Sequence, residues 1–150
     1  MLTTTHKNLA AIIHLSTFSK FFIPLGNFIL PIILWTMNKD KSDFVDKHGK
    51  QAINFQLSIL LYTIIICCMT IPLFLFGVLN SVSFPEFWNA YDFDFHLSRR
   101  DSFNVVLFTI IAGLLVAAAF IFEIIFVIIA TSKANQGEPY KYPITINFLK

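Results

Sequence analysis

Three long apolar blocks, residues 9–37, 52–79 and 103–131, occupy most of this 150-residue chain. A helix that crosses a bilayer needs about 20 mostly apolar residues, and the second and third blocks each exceed that. Lipid gives a free backbone amide or carbonyl no partner, so helix is the economical form for such runs. Stretches such as TIIIC and EIIFVII favour strand in water, but that preference does not override the missing partners. Composition points the same way: the chain is 56% hydrophobic and only 13% charged, where a soluble domain carries about a quarter charged residues. Too little polar surface remains to cover a water-soluble globule. The net charge of +2 and the lack of an arginine-rich segment with interleaved aromatics argue against nucleic acid as a partner. MLTTTHKN carries one lysine and no small-x-small site follows the first block, so a cleaved signal peptide is not expected.

The first block differs from the others. His14, Ser16, Thr17, Ser19 and Lys20 sit inside it, followed by Pro24, Gly26, Asn27 and Pro31. At about 100° per residue, Ala11, Leu15, Phe18 and Phe22 share one narrow face and the polar residues take most of the remaining arc, which makes residues 8–22 amphipathic. Pro24 cannot continue the hydrogen-bond ladder and IPLGN has turn composition. Two arrangements stay open: one kinked span, or a hairpin of short helices over about 8–22 and 26–37. The polar arc is costly against lipid on a lone span, so the hairpin is preferred. The expected fold class is an all-α membrane protein, a small bundle of about four helices. The N-terminal hairpin is joined by two full transmembrane helices at about 43–79 and 103–132, in one integral membrane domain.

Basic residues set the threading. Lys39, Lys41, Lys47 and Lys50 lie between the first two blocks and Lys133, Lys141 and Lys150 follow the third, whereas residues 80–102 hold only Arg99 and Arg100. The positive-inside rule then places the 38–51 loop and the 133–150 tail in the cytoplasm and the 80–102 loop in the periplasm. With the hairpin the N-terminus is cytoplasmic as well. Localisation in the bacterial cytoplasmic (inner) membrane, multi-pass, follows. Ser42 suits an N-cap, and Asp43 and Asp46 suit the positive end of a helix starting there; Pro72 is expected to kink that helix near its far end. Lys47, Gln51, Asn54, Ser58 and Tyr62 step by 4, 3, 4 and 4 along one helical face, and such a stripe should face protein or water.

HLSTFSKFFIPLGNFILPIILW, NKDKSDFVDKHGKQAINFQLSI and the terminal SKANQGEPYKYPITINF together resemble a widespread family of small uncharacterised bacterial membrane proteins, distantly similar to the chloroplast inner-envelope import subunit of the Tic complex. The motifs are His14-Leu-Ser, Pro24-x-Gly26, Pro31-x-x-x-Trp35, Lys39-Asp40, Asp46-x-His48-Gly49, Asn54-Phe55-Gln56-x-Ser58 and Ala134-Asn-x-Gly137 with Tyr142-Pro143. The resemblance covers most of the chain except the 80–102 loop. It implies a four-helix bundle and assigns no activity; protein translocation enters only by analogy.

The side chains that could carry chemistry are few. Glu123 lies about ten residues before Lys133, roughly 10–15 Å inside the cytoplasmic end by helical rise, and must be paired, protonated or wet. Lys20 and His14 are the expected partners. The candidate intramembrane network is therefore His14, Lys20, Gln51, Asn54, Ser58 and Glu123, more simply a structural tie for the first helix than a polar path for protons, ions or an unfolded segment. His48 stands near Asp43 and Asp46, but the three lie on diverging faces, so capping and interfacial charge are preferred over a metal site. Cys67 and Cys68 are adjacent, about 100° apart and amid apolar residues, which suits neither disulfide nor metal. Gly113 and Ala117 suggest a close helix contact. No phosphate loop, catalytic triad order or paired carboxylates are found, and no cofactor is called for. In the 80–102 loop Phe84, Phe87, Trp88, Tyr91, Phe93 and Phe95 read first as an interfacial belt, and Phe87, Trp88, Tyr91 and Phe93 form the candidate partner surface. The tail, with alternating apolar residues and two prolines, should be extended and packed on the bundle or a partner. Two function classes follow. One is a non-enzymatic accessory or structural subunit of a larger membrane assembly, in hetero-complex with other membrane proteins. The other is a small transporter or channel built around Glu123.

Overall fold

A computed structural model of the chain describes residues 2–81 and 99–150. Among these the secondary structure is all helical, with four α-helices and no strand. Helix α1 (Thr4–Leu15) starts at Thr3, whose hydroxyl accepts from the His6 amide at 3.3 Å, meeting one of the orphan donors of the first turn. Its continuation, Ser16–Phe21, is a 3₁₀ helix. Ser16 and Thr17 bond back to the carbonyls of Ile13 and His14 at 2.7 and 2.8 Å, and hydroxyls of this kind compete with the regular ladder. The chain then reverses: Ile23 N donates to Ser19 O and Gly26 N to Ile23 O, with Leu25 in the left-handed region at φ 59°. Helix α2 (Gly26–Thr36) follows, with Pro31 inside it. Eleven residues rise only about 17 Å, short of the roughly 30 Å hydrocarbon layer, so α2 is an arm of a hairpin.

After a 3₁₀ turn at Lys39–Lys41, Ser42 caps α3 (Asp43–Ser81), its hydroxyl accepting from Phe44 N at 3.2 Å. Helix α4 (Arg99–Gln136) ends at Gly137, φ 83°. There Gly137 N donates to Ala134 O and Glu138 N to Lys133 O, both at 3.0 Å, the paired bonds of a Schellman stop that a glycine's freedom permits. Lys7 Nζ adds a donor to the last carbonyl, Gln136 O, at 3.3 Å, a cation at a helix C-terminus. Within α3 and α4, residues Asp43–Pro72 and Val106–Gln136 are long and apolar enough to cross a membrane.

The chain forms two compact units. The first comprises Met1–Tyr62 and Ile121–Lys150. Its packed interior contains Ala10, Ile13, Val45, Ala52, Phe55, Val127, Ala130, Ala134 and Tyr142. The buried stripe of the first arm is Ala10, Ile13, His14 and Thr17, while Ile12 and Leu15 face out and Phe22 at the turn is 87% exposed. Buried beside them are His48, Asn54, Gln56, Ser58 and Glu123. Polar groups in, with Ile12, Leu15 and Phe22 out, is the arrangement that lipid, not water, favours. The second unit is Thr63–Phe120. Phe74 and Phe108 stack there with centroids 5.8 Å apart, and Ile64, Ile65, Ile66, Leu114, Leu115 and Val116 face outward. Cys67 and Cys68 are free and exposed. Among the described residues the close contact expected at Gly113 is not made: a methyl built there meets nothing within 4 Å, and Ala117 is exposed. Two small residues one turn apart permit close approach but do not supply the opposing helix.

Candidate functional site

The buried polar groups of the first unit sort into three hydrogen-bonded sets. The first joins all four helical segments. Lys20, on the 3₁₀ extension of α1, bonds Glu123 Oε2 on α4 at 2.5 Å. The other oxygen, Oε1, accepts from Gln56 Nε2 on α3 at 3.2 Å, and Gln56 Oε1 accepts from Asn27 Nδ2 on α2 at 2.8 Å. Both carboxylate oxygens are thus occupied in a site only 7% exposed, which offsets the desolvation that an isolated buried charge incurs.

The second set is a chain of rings. His14 on α1 bonds His48 Nδ1 on α3 through Nε2 at 2.8 Å, and its Nδ1 meets the Tyr142 hydroxyl from the tail at 2.9 Å. Phe44 packs on His48 with centroids 4.3 Å apart, and Phe55 stacks on Tyr142 at 4.0 Å and 9°. Burial, then the charge of His48, push the His14 imidazole down to about 3. Burial, then Tyr140 and Glu123, push the Tyr142 hydroxyl well above its ordinary value. A neutral tyrosine keeps its proton and donates it to His14 Nδ1. His14 Nε2–H then donates to His48 Nδ1, leaving His48 Nε2 buried with no hydrogen-bond partner among the described residues. The order follows from what each ring nitrogen can do once its neighbour's role is set.

The third set fastens the tail to α3. Asn54 bonds Leu149 in both directions, Nδ2 to O at 3.0 Å and N to Oδ1 at 2.8 Å. Ser58 accepts from Ile146 N at 2.8 Å while donating to Asn54 O at 2.7 Å, and Tyr62 donates to Ile144 O at 2.8 Å. Residues 54, 58 and 62 lie on one helical face, so the tail runs antiparallel along it. The extended tail has no ladder of its own, and these side chains serve its backbone groups where buried donors and acceptors need partners.

Close to these sets, Trp35 on α2 donates from Nε1 to Asp46 Oδ1 at 2.8 Å, and Lys50 pairs with Asp46 Oδ2 at 2.6 Å. Gly49 lies under the indole: a methyl there would stand 2.2 Å from Trp35 Cδ1, so only a bare Cα admits the ring.

Several expected site residues are therefore brought together, though in a different grouping. Lys20 does meet Glu123. His14 does not; it turns to His48 and Tyr142. Asn54 and Ser58 bind the tail, and Gln51 Oε1 is buried with no hydrogen-bond partner among the described residues. His48 is not an interfacial charge, since it is 2% exposed on the α3 face that meets α1. Gln56 and Asn27, which complete the Glu123 set, lie off the 51–54–58–62 stripe and escape a reading by that stripe. A neutral amide within an apolar run was the available signal, because it too must find a partner. Phe87, Trp88, Tyr91 and Phe93, with the rest of residues 82–98, lie outside the described residues. Among the described residues no three histidine, cysteine or carboxylate side chains gather as metal ligands. His48 and Tyr142 occupy opposite nitrogens of His14, so the trio as arranged cannot share one ion.

An all-helical bundle with inward polar sets and two membrane-length helices defines a helical membrane protein. The chain belongs to the MamF/MmsF family, the magnetosome magnetite crystal formation protein family, whose model matches residues 5–149. No curated protein matches the chain, and no solved structure does. The family match overturns the resemblance to the Tic import subunit. The motifs that carried that resemblance have structural jobs: Gly49 admits Trp35, Gly137 stops α4, Asn54 and Ser58 hold the tail. A hairpin bundle needs such residues whatever it does, so they report architecture and not import.

Proposed function

We propose that this chain is a non-enzymatic, multi-pass membrane protein that acts as an accessory or structural subunit in magnetite crystal formation. Family membership over residues 5–149 carries the reading. In it, α3 and α4 span the membrane and the hairpin stays on the side of the 38–42 loop and the tail, which is the cytoplasmic side of an inner-membrane protein. Residues 80–102 then stand on the far face, with Phe87, Trp88, Tyr91 and Phe93 as anchors for another membrane protein of the assembly. Glu123 braces the bundle. Its two oxygens are taken by Lys20 and Gln56, which favours bracing over the conducting path of the transporter alternative.

The test is complementation in a magnetite-forming bacterium that lacks its own family member. The wild-type chain restores crystal size. A variant with serine at positions 87, 88, 91 and 93 inserts into the membrane to the same level, yet restores neither crystal size nor co-purification with other membrane proteins in mild detergent. Crystals unaffected by the wild-type chain would overturn the reading, and full rescue by the serine variant would overturn the partner surface.

A further inference from the structure

The His14–His48–Tyr142 chain is buried and stands at the root of the tail. Tyr142 enters the bundle there, five residues after the helix stop at Gly137, and the tail's remaining anchors, Asn54, Ser58 and Tyr62, follow it along α3. We propose that the His14–His48 pair is an acid-sensitive latch for the C-terminal tail: neutral, it holds Tyr142 and residues 144–149 closed on α3, and proton uptake by the pair releases them.

The geometry carries this. In the closed chain each ring nitrogen that faces another group has one role, and the 2.8 Å contact needs a donor on one side and an acceptor on the other. A proton taken up by His14 sits on Nδ1 and turns the acceptor of the Tyr142 hydroxyl into a donor, and a further proton on His48 turns the 2.8 Å contact into two N–H groups facing each other. Among the described residues neither imidazole is hydrogen-bonded to a carboxylate that would compensate the charge. The tail contributes Tyr140, Tyr142 and the Glu138 backbone. Phe44 is the α3 neighbour of His48. Glu123 on α4 faces Tyr142, and its own oxygens are engaged by Lys20 and Gln56. The low His14 value agrees, since burial already opposes the charge. The tail is also held with stored strain: Ile144 is β-branched and sits at φ 56°, a conformation that disfavours such residues.

Release uncovers the pair on its tail side, so that its first proton is taken up towards the ordinary value of about 6.5 and the second less readily, because the two rings stand 2.8 Å apart and like charges repel. By linkage the opening equilibrium then grows about 10-fold between pH 7.5 and pH 5.5 for the first proton, with about 100-fold as the upper bound for uptake of two.

Hydrogen–deuterium exchange of the purified chain in detergent tests this, with rates corrected for the intrinsic pH dependence of exchange. The peptide covering residues 143–150, which contains the Ile146 and Leu149 amides, should show opening that rises by between 10- and 100-fold from pH 7.5 to pH 5.5. Peptides from α4 around residues 124–132 should stay protected. H48Q should cut the pH ratio to about 10-fold or less. Y142F keeps the stacked ring but loses the hydroxyl, so it should raise opening at both pH values and leave their ratio unchanged. Three results would each overturn the latch: an equal pH ratio in wild type and H48Q, a tail exchanging at its intrinsic rate already at pH 7.5, or loss of α4 protection in step with the tail.

Discussion

His14 is fully buried with both ring nitrogens hydrogen-bonded, and that ties the acid stability of the molecule to this imidazole among others. Its folded value of about 3 lies below the ordinary 6.5. Between these values the unfolded chain binds a proton that the folded chain refuses. Its contribution to stability is therefore complete above pH 6.5 and is lost as pH falls towards 3, at up to about 1.4 kcal/mol per pH unit. Thermal unfolding in detergent should show Tm falling steadily from pH 7 to pH 4, with H14Q flattening the decline even if its Tm at pH 7 is lower. An H14Q slope as steep as that of the wild type would show that other groups set the acid limit. Single residues explain the fold's close approaches in the same way. Gly49 lets Trp35 sit on α3 and reach Asp46, and a side chain at 49 would force apart the one hairpin arm too short to span.

At the scale of elements, the set around Glu123, one ion pair and two amides, ties the hairpin to the two long helices beside the Trp35–Asp46 and His14–His48 bonds. Breaking a buried pair by removing one partner costs about 3–5 kcal/mol, chiefly through the charge left behind; Lys20 is partly exposed, with a 24% accessible side chain, so about 3 kcal/mol is expected for E123A. E123A combined with K20M should recover much of that loss, because the unpaired cation goes as well. A double-mutant cycle in Tm or denaturant midpoint measures the coupling; strictly additive losses would mean that the pair does not hold the hairpin. This tie was legible in the sequence, because a lone carboxylate in EIIFVII must find a cation and the first arm offers few. The histidine chain was not. His48 sits two residues from Asp46 and is naturally counted with the charged loop, and only the packing of α1 on α3 turns it inward. The tail ladder was half legible: Asn54, Ser58 and Tyr62 announce a face that needs polar company, but a helical wheel cannot say that the company is backbone from ninety residues downstream.

For the whole molecule, the periodicity of the first block and the length of the other two define the fold class, since they register which solvent each segment meets. In the first unit the described buried groups carry the hydrogen bonds while Ile12, Leu15 and Phe22 face out, and a bilayer is the solvent that suits that inversion. The fine contacts were less legible, because lipid-facing helices leave little amphipathic signal to say which face meets a neighbour. The apolar turn at Phe22 and Leu25 and the short α2 support the proposed threading, in which the hairpin enters and leaves by one surface. That claim puts Leu2, Ser42 and Asn135 on the cytoplasmic side and Asn89 on the other. Single cysteines at these four positions, in a Cys67→Ala, Cys68→Ala background, can be challenged with a membrane-impermeant maleimide. Positions 2, 42 and 135 should label only after lysis, and position 89 should label in intact cells once the outer membrane is permeable. Labelling of position 2 from the same side as 89 would make the first block a span and contradict the hairpin, and labelling of 42 and 89 from one side would contradict the crossing of α3.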